Sequence, residues 1–243
     1  MAFSLNGQRI LIVGGGSGIG YAVAEGCLAD GAVVTIASTG AERLSAAAET
    51  LGRGVSTAQL DVTNEPQVRD FFDGSERFDH IVTTAGDWGG PRRGALADLD
   101  LEAARGLFAV RFWGALALAK YGAPRLKEAG SLILTDGMVA HRPAPGAVVS
   151  SAMAGAVEHL TRALAVELAP LRVNAVCPGL ILTSVWDNMP DRETRIAEMT
   201  RRQLIPRIGA AAEAAESYIY LMRNGFVTGQ VLFVEGGSAL ARG

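Results

Sequence analysis

The chain has 243 residues, of which 49% are hydrophobic and 19% are charged, and its formal net charge is −3. This length suits one α/β domain with a sizeable core and is cramped for two domains of typical size. The small net charge gives no reason to expect nucleic acid or an anionic membrane as a partner.

The two cysteines, Cys27 and Cys177, lie in apolar contexts and are predicted to be small core residues in a reducing compartment. Neither has a second cysteine nearby, and no Cys/His pair has metal-ligand spacing, so the sequence predicts no metal site. The first residues lack the basic and apolar segments of a signal peptide, and no uncharged apolar stretch reaches the length of a membrane span. We therefore expect a cytoplasmic protein.

Apolar runs alternate with amphipathic segments along the chain. Strands are predicted at residues 10–13, 32–37, 55–60, 79–86, 131–135, 172–177 and 230–234, and helices at 21–28, 41–51, 65–72, 98–127, 148–168 and 210–222. A polar stretch interrupts this alternation and predicts a lid-like segment at about 183–209. The alternation indicates a parallel sheet covered on both faces. The predicted fold is α/β: residues 1–243 form a single Rossmann-type, doubly wound domain around a seven-stranded parallel sheet.

A glycine-rich stretch joins the first predicted strand to the first predicted helix, where Val13 is followed by Gly-Gly-Gly-Ser-Gly-Ile-Gly. Gly14 permits a tight turn, Gly18 lets a pyrophosphate approach the backbone, and Gly20 lets the helix pack closely on the strand. The N–H groups and the positive dipole end of the helix would then face the phosphates. A purely structural turn can have the same pattern, but its place before repeated strand–helix units favours a dinucleotide site.

Further motifs follow in order along the chain: Asp61-Val62, Thr83-Thr-Ala-Gly86, Pro178-Gly179 with Thr183, and Glu235-Gly-Gly237. Together with the glycine turn, they resemble the motifs of the short-chain dehydrogenase/reductase family over about residues 7–237. Val13 stands where that family has a threonine, and Thr83-Thr84 stands where it has two asparagines. The resemblance implies a Rossmann fold, an NAD(P)(H) cofactor and hydride transfer between a carbonyl and an alcohol.

The resemblance also implies the residues that hold the cofactor: Gly14, Gly16, Ser17, Gly18, Ile19, Gly20, Ser38, Thr39, Asp61, Val62, Ala85, Gly86, Pro178, Gly179, Ile181 and Thr183. The end of the second strand has no acidic residue that would hold the ribose 2′-hydroxyl of NAD and repel a 2′-phosphate. Arg43 lies one turn further on. NADP(H) is therefore favoured over NAD(H).

The resemblance fails at the residues that perform the chemistry. The family uses an Asn, a Ser and a Tyr-x-x-x-Lys pair, and the corresponding positions here are Arg111, Gly137, Ser150 and Ala154. A serine without a neighbouring base or cation is far from the pKa that suits proton transfer at neutral pH. The usual mechanism therefore does not carry over to this chain.

Four residues remain as candidates for catalysis: Asp136, His141, Arg111 and Ser150. Asp136 either supplies a proton or forms a turn, and strand alternation, with Gly137 at the inward position, turns it away from substrate. His141 is either a tuned acid–base group or a solvated loop residue. Arg111 either holds an anionic substrate or pairs with Asp136. A Ser-His-Asp set from these residues has only proximity in sequence in its favour, because no nucleophile elbow surrounds Ser150.

Aromatic residues near the expected cleft are candidate ligand walls or ordinary packing residues. They lie in the stretch Asp87-Trp-Gly-Gly-Pro91 and at Trp186. His80 and His159 are predicted to be structural.

Three functions remain open at this point. The first is an NAD(P)H-dependent oxidoreductase with a relocated or water-borne proton donor; the second is a catalytically inactive nucleotide-binding sensor or partner subunit; the third is a non-redox enzyme that reuses the cleft. The resemblance further implies a homo-oligomer, a dimer or tetramer, formed through the helices at 98–127 and 148–168. The substrate is a small molecule that the sequence does not identify.

Overall fold

The structure is a computed structural model that describes residues 4–86 and 94–241. Its strands are β1 Arg9–Val13, β2 Val33–Ser38, β3 Val55–Gln59, β4 Phe78–Thr83, β5 Leu126–Thr135, β6 Arg172–Pro178, β7 Ile181–Leu182, β8 Gly209–Ala210 and β9 Val231–Val234. Seven of them form one sheet in the order β3-β2-β1-β4-β5-β6-β9, and β7 pairs with β8 separately. Every pairing is parallel. The predicted seven-stranded parallel sheet is confirmed.

Helices cover both faces of this sheet, each with its own apolar core. The helices are α1 Gly18–Ala29, α2 Ala41–Leu51, α3 Glu65–Asp73, α4 Leu101–Arg105, α5 Ala115–Gly122, α6 Val148–Glu167, α7 Arg192–Thr200 and α8 Ala211–Arg223. Helices α1, α2 and α8 bury their apolar sides on one face, against residues such as Ile12 and Ile36. Helices α3, α5 and α6 do so on the other face, against Leu132 and Leu134. Alternate residues of each strand thus serve opposite cores, as expected for a doubly wound sheet.

The long helix predicted at 98–127 is wrong. The segment contains α4, a π-helical turn at Ala109–Gly114, α5 and a 3-10 turn at Ala123–Arg125, and β5 already begins at Leu126. Gly106 ends α4, and Pro124 follows α5, where its ring disfavours further helix. The π-helical turn contains Arg111, and such turns are frequent at functional sites.

The lid-like segment at 183–209 is more regular than its polar sequence indicates. It contains a 3-10 turn at Ser184–Trp186 and the helix α7, and the pairing of β7 with β8 joins its two ends. Within residues 4–86 and 94–241, no helix is long and apolar enough to cross a membrane.

Candidate active site

The strand order reverses at β1, whose two neighbours are β2 and β4. Ligands of open parallel sheets bind outside the carboxyl ends of the strands at such a reversal. A cleft of about 320 Å³ lies there. Its lining includes most of the predicted cofactor residues: Gly14, Gly16, Ser17, Gly18, Ile19, Gly20, Ser38, Thr39, Asp61, Val62, Ala85, Gly86 and Thr183.

The cleft is shaped to admit a dinucleotide close to the backbone. Gly14 has φ +89°, and a Cβ at Gly20 would overlap the carbonyl oxygen of Gly14, so turn and helix approach each other as only glycine permits. The first turn of α1 has no acidic residue and no side-chain cap, which leaves its N–H groups for an anion. Ser38 lines the cleft, and its buried hydroxyl has no hydrogen-bond partner among the described residues. These residues fit NAD(P)(H).

A larger cavity of about 620 Å³ adjoins the cleft. Ile19, Thr183 and Val185 line both spaces, so the two are continuous. The predicted cofactor residues Pro178 and Gly179 line this larger cavity. Ile181 lines neither space; it is buried, and its carbonyl oxygen accepts a hydrogen bond of 2.7 Å from Trp186 Nε1.

The positions that correspond to the family's tyrosine and lysine are closed. Ser150 and Ala154, both on α6, are 3% and 1% exposed. The Ser150 hydroxyl donates to the Ala147 carbonyl at 3.1 Å within its own helix. The described part of the chain therefore does not bring Ser150 together with Asp136 and His141, and the Ser-His-Asp set has no support.

Arg111 is buried, at 4% exposed, and among the described residues it lines neither the cleft nor the larger cavity. Its Nη1 donates to the backbone carbonyls of Thr135 at 3.1 Å and Asp136 at 3.3 Å, at the end of β5. A Cβ at Gly86 would overlap the guanidinium, so the arginine lies directly against a residue that lines the cofactor cleft. The site thus keeps a permanent positive charge although the family's lysine is missing.

Asp136 takes part in a polar cluster with Glu158, His141 and Arg162, which we call the carboxylate cluster; its two carboxyl groups are buried, and His141 and Arg162 are exposed. Asp136 is 1% exposed and its carboxyl lies against that of Glu158 on α6. Glu158 also contacts His141 Nε2 and pairs with Arg162 Nη2 at 3.3 Å. Asp136 and His141 are absent from the lining of both spaces. The alternation that turns Asp136 away from substrate is consistent with this placement.

Burial favours the protonated form of Asp136. Together with the neighbouring carboxyl group of Glu158, it raises the pKa of Asp136 from 3.8 to about 8. Burial acts on Glu158 in the same direction, but its interactions with Asp136, His141 and Arg162 outweigh that effect and lower its pKa. At neutral pH the proton therefore resides on Asp136, and Glu158 is the ionised partner of His141 and Arg162.

The cluster extends to Cys177 at the end of β6. A carboxyl oxygen of Asp136, a ring nitrogen of His141 and the Sγ of Cys177 all lie within 4.8 Å of one another. Burial raises the pKa of the Cys177 thiol, and its Sγ is 3.6 Å from Met138 Sδ. Sequence spacing does not reveal this grouping, because its members come from different elements. The absence of a metal stays a prediction.

Two further sequence predictions concern histidines and aromatic residues. His80 is buried between Ser131 Oγ and Gln8 Oε1, both at 2.7 Å, and burial lowers its pKa to about 3, which supports a structural role. Trp186 lines the larger cavity. The stretch at 87–91 lies outside the described residues.

Comparison with known proteins agrees with this geometry. Residues 14–239 match the family described as enoyl-(acyl carrier protein) reductase. The chain belongs to the short-chain dehydrogenase/reductase family. The structure of MalC reductase/Diels–Alderase from Malbranchea aurantiaca is similar to it with a TM-score of 0.90 and 31% identity, covering 97% of both chains.

Two other similar structures bear on the site. A small-chain dehydrogenase in complex with NADPH is 30% identical, with a TM-score of 0.81 and coverage of 97% of this chain and 100% of the other. A short-chain oxidoreductase from Pseudomonas aeruginosa PAO1, described as containing an atypical catalytic centre, is 27% identical, with a TM-score of 0.87 and coverage of 97% and 98%.

Proposed function

We propose that the protein is an NADP(H)-dependent oxidoreductase that transfers hydride between the nicotinamide and a carbonyl/alcohol pair of an apolar small molecule. One observation carries this proposal: the Arg111 guanidinium lies against Gly86, beside a cofactor cleft that opens into an apolar cavity. NADPH, held by the glycine turn, Ser38 and Thr39, would supply the hydride. Because Arg111 lines neither space, its positive charge would act across Gly86 and stabilise the negative charge that develops on the substrate oxygen.

The proton must then come from water. None of the described residues that line the cavity is Asp, Glu, His, Cys, Lys or Tyr. An arginine does not release its proton at neutral pH. Asp136 holds a proton but does not reach the cavity. We therefore assign the proton to solvent in the cavity, with Arg111 holding the charge until the proton arrives.

The preference for NADP(H) has support from the cleft. Arg43 lines it together with Ser38 and Thr39, and the side-chain carbons of Arg43 lie within 3.6–3.7 Å of the position that a Cβ on Gly16 would take. Neither Ser38 nor Thr39 carries a charge that would repel a 2′-phosphate. A guanidinium beside them suits that phosphate.

A second candidate is a nucleotide-binding protein without redox activity. The observation that favours it is the same lack of a titratable side chain in the cavity wall, combined with the internal hydrogen bond of Ser150. The two candidates share the cofactor cleft and differ only in hydride transfer.

A titration followed by turnover separates the two candidates. NADPH and NADH are titrated against the protein by calorimetry, and NADPH oxidation is then followed with a panel of aryl ketones and aldehydes. We expect Arg111→Gln to lower the rate by about 10²-fold without abolishing NADPH binding, and Arg111→Lys to lose less. Ser150→Ala is the matched control, and its rate should stay within about twofold, because the hydroxyl is committed to Ala147.

Each contrary result has a definite meaning. Tight NADPH binding without oxidation by any carbonyl compound would favour the second candidate. A rate that is indifferent to Arg111→Gln would exclude the electrostatic role. Failure of all nucleotides to bind below millimolar concentration would remove both candidates.

We also propose that the protein forms a homo-oligomer. Large apolar side chains are exposed on the π-helical turn and on α6, where Trp113 is 60% and Val166 is 81% exposed. Such side chains favour burial against a second copy. Analytical ultracentrifugation should show a species larger than a monomer at micromolar concentration, and a monomer at every concentration would contradict the proposal.

A further inference from the structure

The larger cavity has walls that are mainly apolar. Its apolar side chains include Met138, Leu180, Val185, Trp186, Met189 and Met199. Three of these are methionines, whose flexible thioethers adapt to ligands of irregular shape. The Trp186 ring, in contrast, is fixed by its 2.7 Å hydrogen bond to Ile181. A volume of about 620 Å³ admits a ligand of the size of several fused or linked rings.

The charge in this cavity is of one sign. Arg142 and Arg202 line it, and no Asp or Glu does so among the described residues. Arg142 uses Nη1 to donate to the Ala241 carbonyl at 2.8 Å, and this is a neutral partner. Other arginines of the same region have acidic partners: Arg192 pairs with Asp187 at 3.0 Å and Arg207 with Glu213 at 2.6 Å.

Arg142 and Arg202 are both exposed, so water screens part of any charge pair that they form, but the apolar wall beside them makes the pair stronger than one on an open polar surface. Two guanidinium groups that face such a space without a carboxylate therefore favour an anion as ligand. A carboxylate suits the space better than a phosphate dianion, since it loses less hydration on entering an apolar cavity. Carboxylate oxygens also match the planar fork of arginine.

We infer that the cavity takes an apolar carbonyl compound that carries a carboxylate, with Arg142 and Arg202 as the groups that recognise it. As a statement about the substrate, this inference rests on the proposed function; as a statement about binding, it can be tested without turnover. Arg202 lies just beyond α7 in the lid-like segment, and Arg142 lies after β5. The carboxylate would thus draw the two sides of the cavity together.

The test uses 4-benzoylbenzoate and its methyl ester, a pair of aryl ketones that differ in charge. Binding of each is measured by calorimetry with the protein saturated with NADP⁺, so that no reduction occurs. We expect the carboxylate to bind about tenfold more tightly than the ester. Arg202→Gln should remove that difference and leave ester binding unchanged. Arg142→Lys keeps the charge but not the fork, and we expect it to lose part of the difference.

Arg201→Gln is the matched control, since Arg201 is exposed like its neighbour Arg202 but does not line the cavity. It should bind both ketones as the unaltered protein does. Three results would overturn the inference: equal binding of ester and carboxylate, equal effects of Arg201→Gln and Arg202→Gln, or no binding of either ketone below millimolar concentration. Weaker NADPH binding by Arg202→Gln would instead place this arginine with the cofactor and also overturn it.

The same pair of ketones separates this inference from the proposed function. With NADPH in place of NADP⁺, oxidation of the cofactor reports hydride transfer. Tight, charge-dependent binding without oxidation would keep the carboxylate site and remove the redox function. Oxidation of NADPH that proceeds equally with the ester and the carboxylate would support the redox function and remove the carboxylate site.

Discussion

The two halves of the site differ in what they are made of. The nucleotide half consists of backbone: a glycine turn, the N-terminus of α1 and the carboxyl ends of β1 and β4. The reaction half consists of side chains from β5, α6 and the π-helical turn. The motifs of the short-chain dehydrogenase/reductase family persist in the first half. The second half has Arg111, Gly137, Ser150 and Ala154 at the positions that the resemblance assigns to the family's catalytic residues. A backbone-built site is tied to the fold, whereas a side-chain-built site can be rebuilt on the same fold.

The largest effect is expected from a side chain placed in the glycine turn, which tests whether the nucleotide half depends on its backbone. Gly20→Ala would drive a Cβ into the Gly14 carbonyl, so we expect NADPH affinity to fall at least about 100-fold, or the free energy of unfolding to fall by about 3 kcal/mol. Gly155→Ala, on α6 and outside the cleft, is the control, since nothing lies within 4 Å of the Cβ that it would add. Calorimetry and urea unfolding measure both. Equal tolerance of the two substitutions would show that the turn is not limited by space.

The reaction half predicts an unusual pH dependence of stability. Because the pKa of Asp136 is raised to about 8, the folded state binds one more proton than the unfolded state between about pH 4 and pH 8. The contribution of Asp136 is therefore fully present below pH 4 and is lost as the pH rises towards 8. The groups that face its carboxyl are Glu158 and Cys177, and His141 lies beside them. The lowered pKa of Glu158 changes the stability only in more acidic solution, below the value near 4.5 that the group has in the unfolded state.

Asp136→Asn removes this titration. We expect the variant to be more stable than the unaltered protein at pH 9, by at least about 1 kcal/mol, and to lose that advantage as the pH falls towards 5. Urea unfolding at several pH values measures the difference. Asp70→Asn, at an exposed carboxylate, is the control and should leave the profile unchanged. Parallel profiles for the Asp136 variant and the unaltered protein would show that Asp136 is ionised throughout.

The smallest effect concerns the choice of nucleotide. Arg43→Ala should raise the Kd of NADPH by about tenfold and leave that of NADH within about twofold, because only NADPH carries the 2′-phosphate. Titrations of both nucleotides in low and moderate salt measure this. The preference for NADPH should shrink with salt, as expected for a partly exposed charge pair. A loss of equal size for both nucleotides would place Arg43 elsewhere on the cofactor.

The sequence predicted the nucleotide half well, because glycine positions and strand ends depend on local rules. The bounds of β2 and α2 came within one residue of the structure. The long helix at 98–127 was wrong because its alanines and leucines have high helix propensity, whereas a close approach to Val62 requires Gly114 and Pro124 disfavours further helix.

The carboxylate cluster could not be predicted in full. Asp136 and His141 were candidates, but Glu158 and Arg162 were not, because an i,i+4 Glu–Arg pair on a helix usually marks a solvated face. Only the tertiary packing of α6 against the end of β5 places Glu158 beneath two other titratable groups. The only local feature that pointed to the cluster was Glu158 itself, an acidic residue within the predicted helix at 148–168 that is buried in the structure.

The tight packing around α6 makes the change in the reaction half hard to reverse. Ser150→Tyr and Ala154→Lys together would restore the family's residue types, but both positions are now closed and have no room for a phenol or a long amine. Arg111 is interlocked with Gly86 in the same way, so neither residue can change alone without a clash or a gap. Restoring the family's residue types at these positions would therefore require several contacts to change at once.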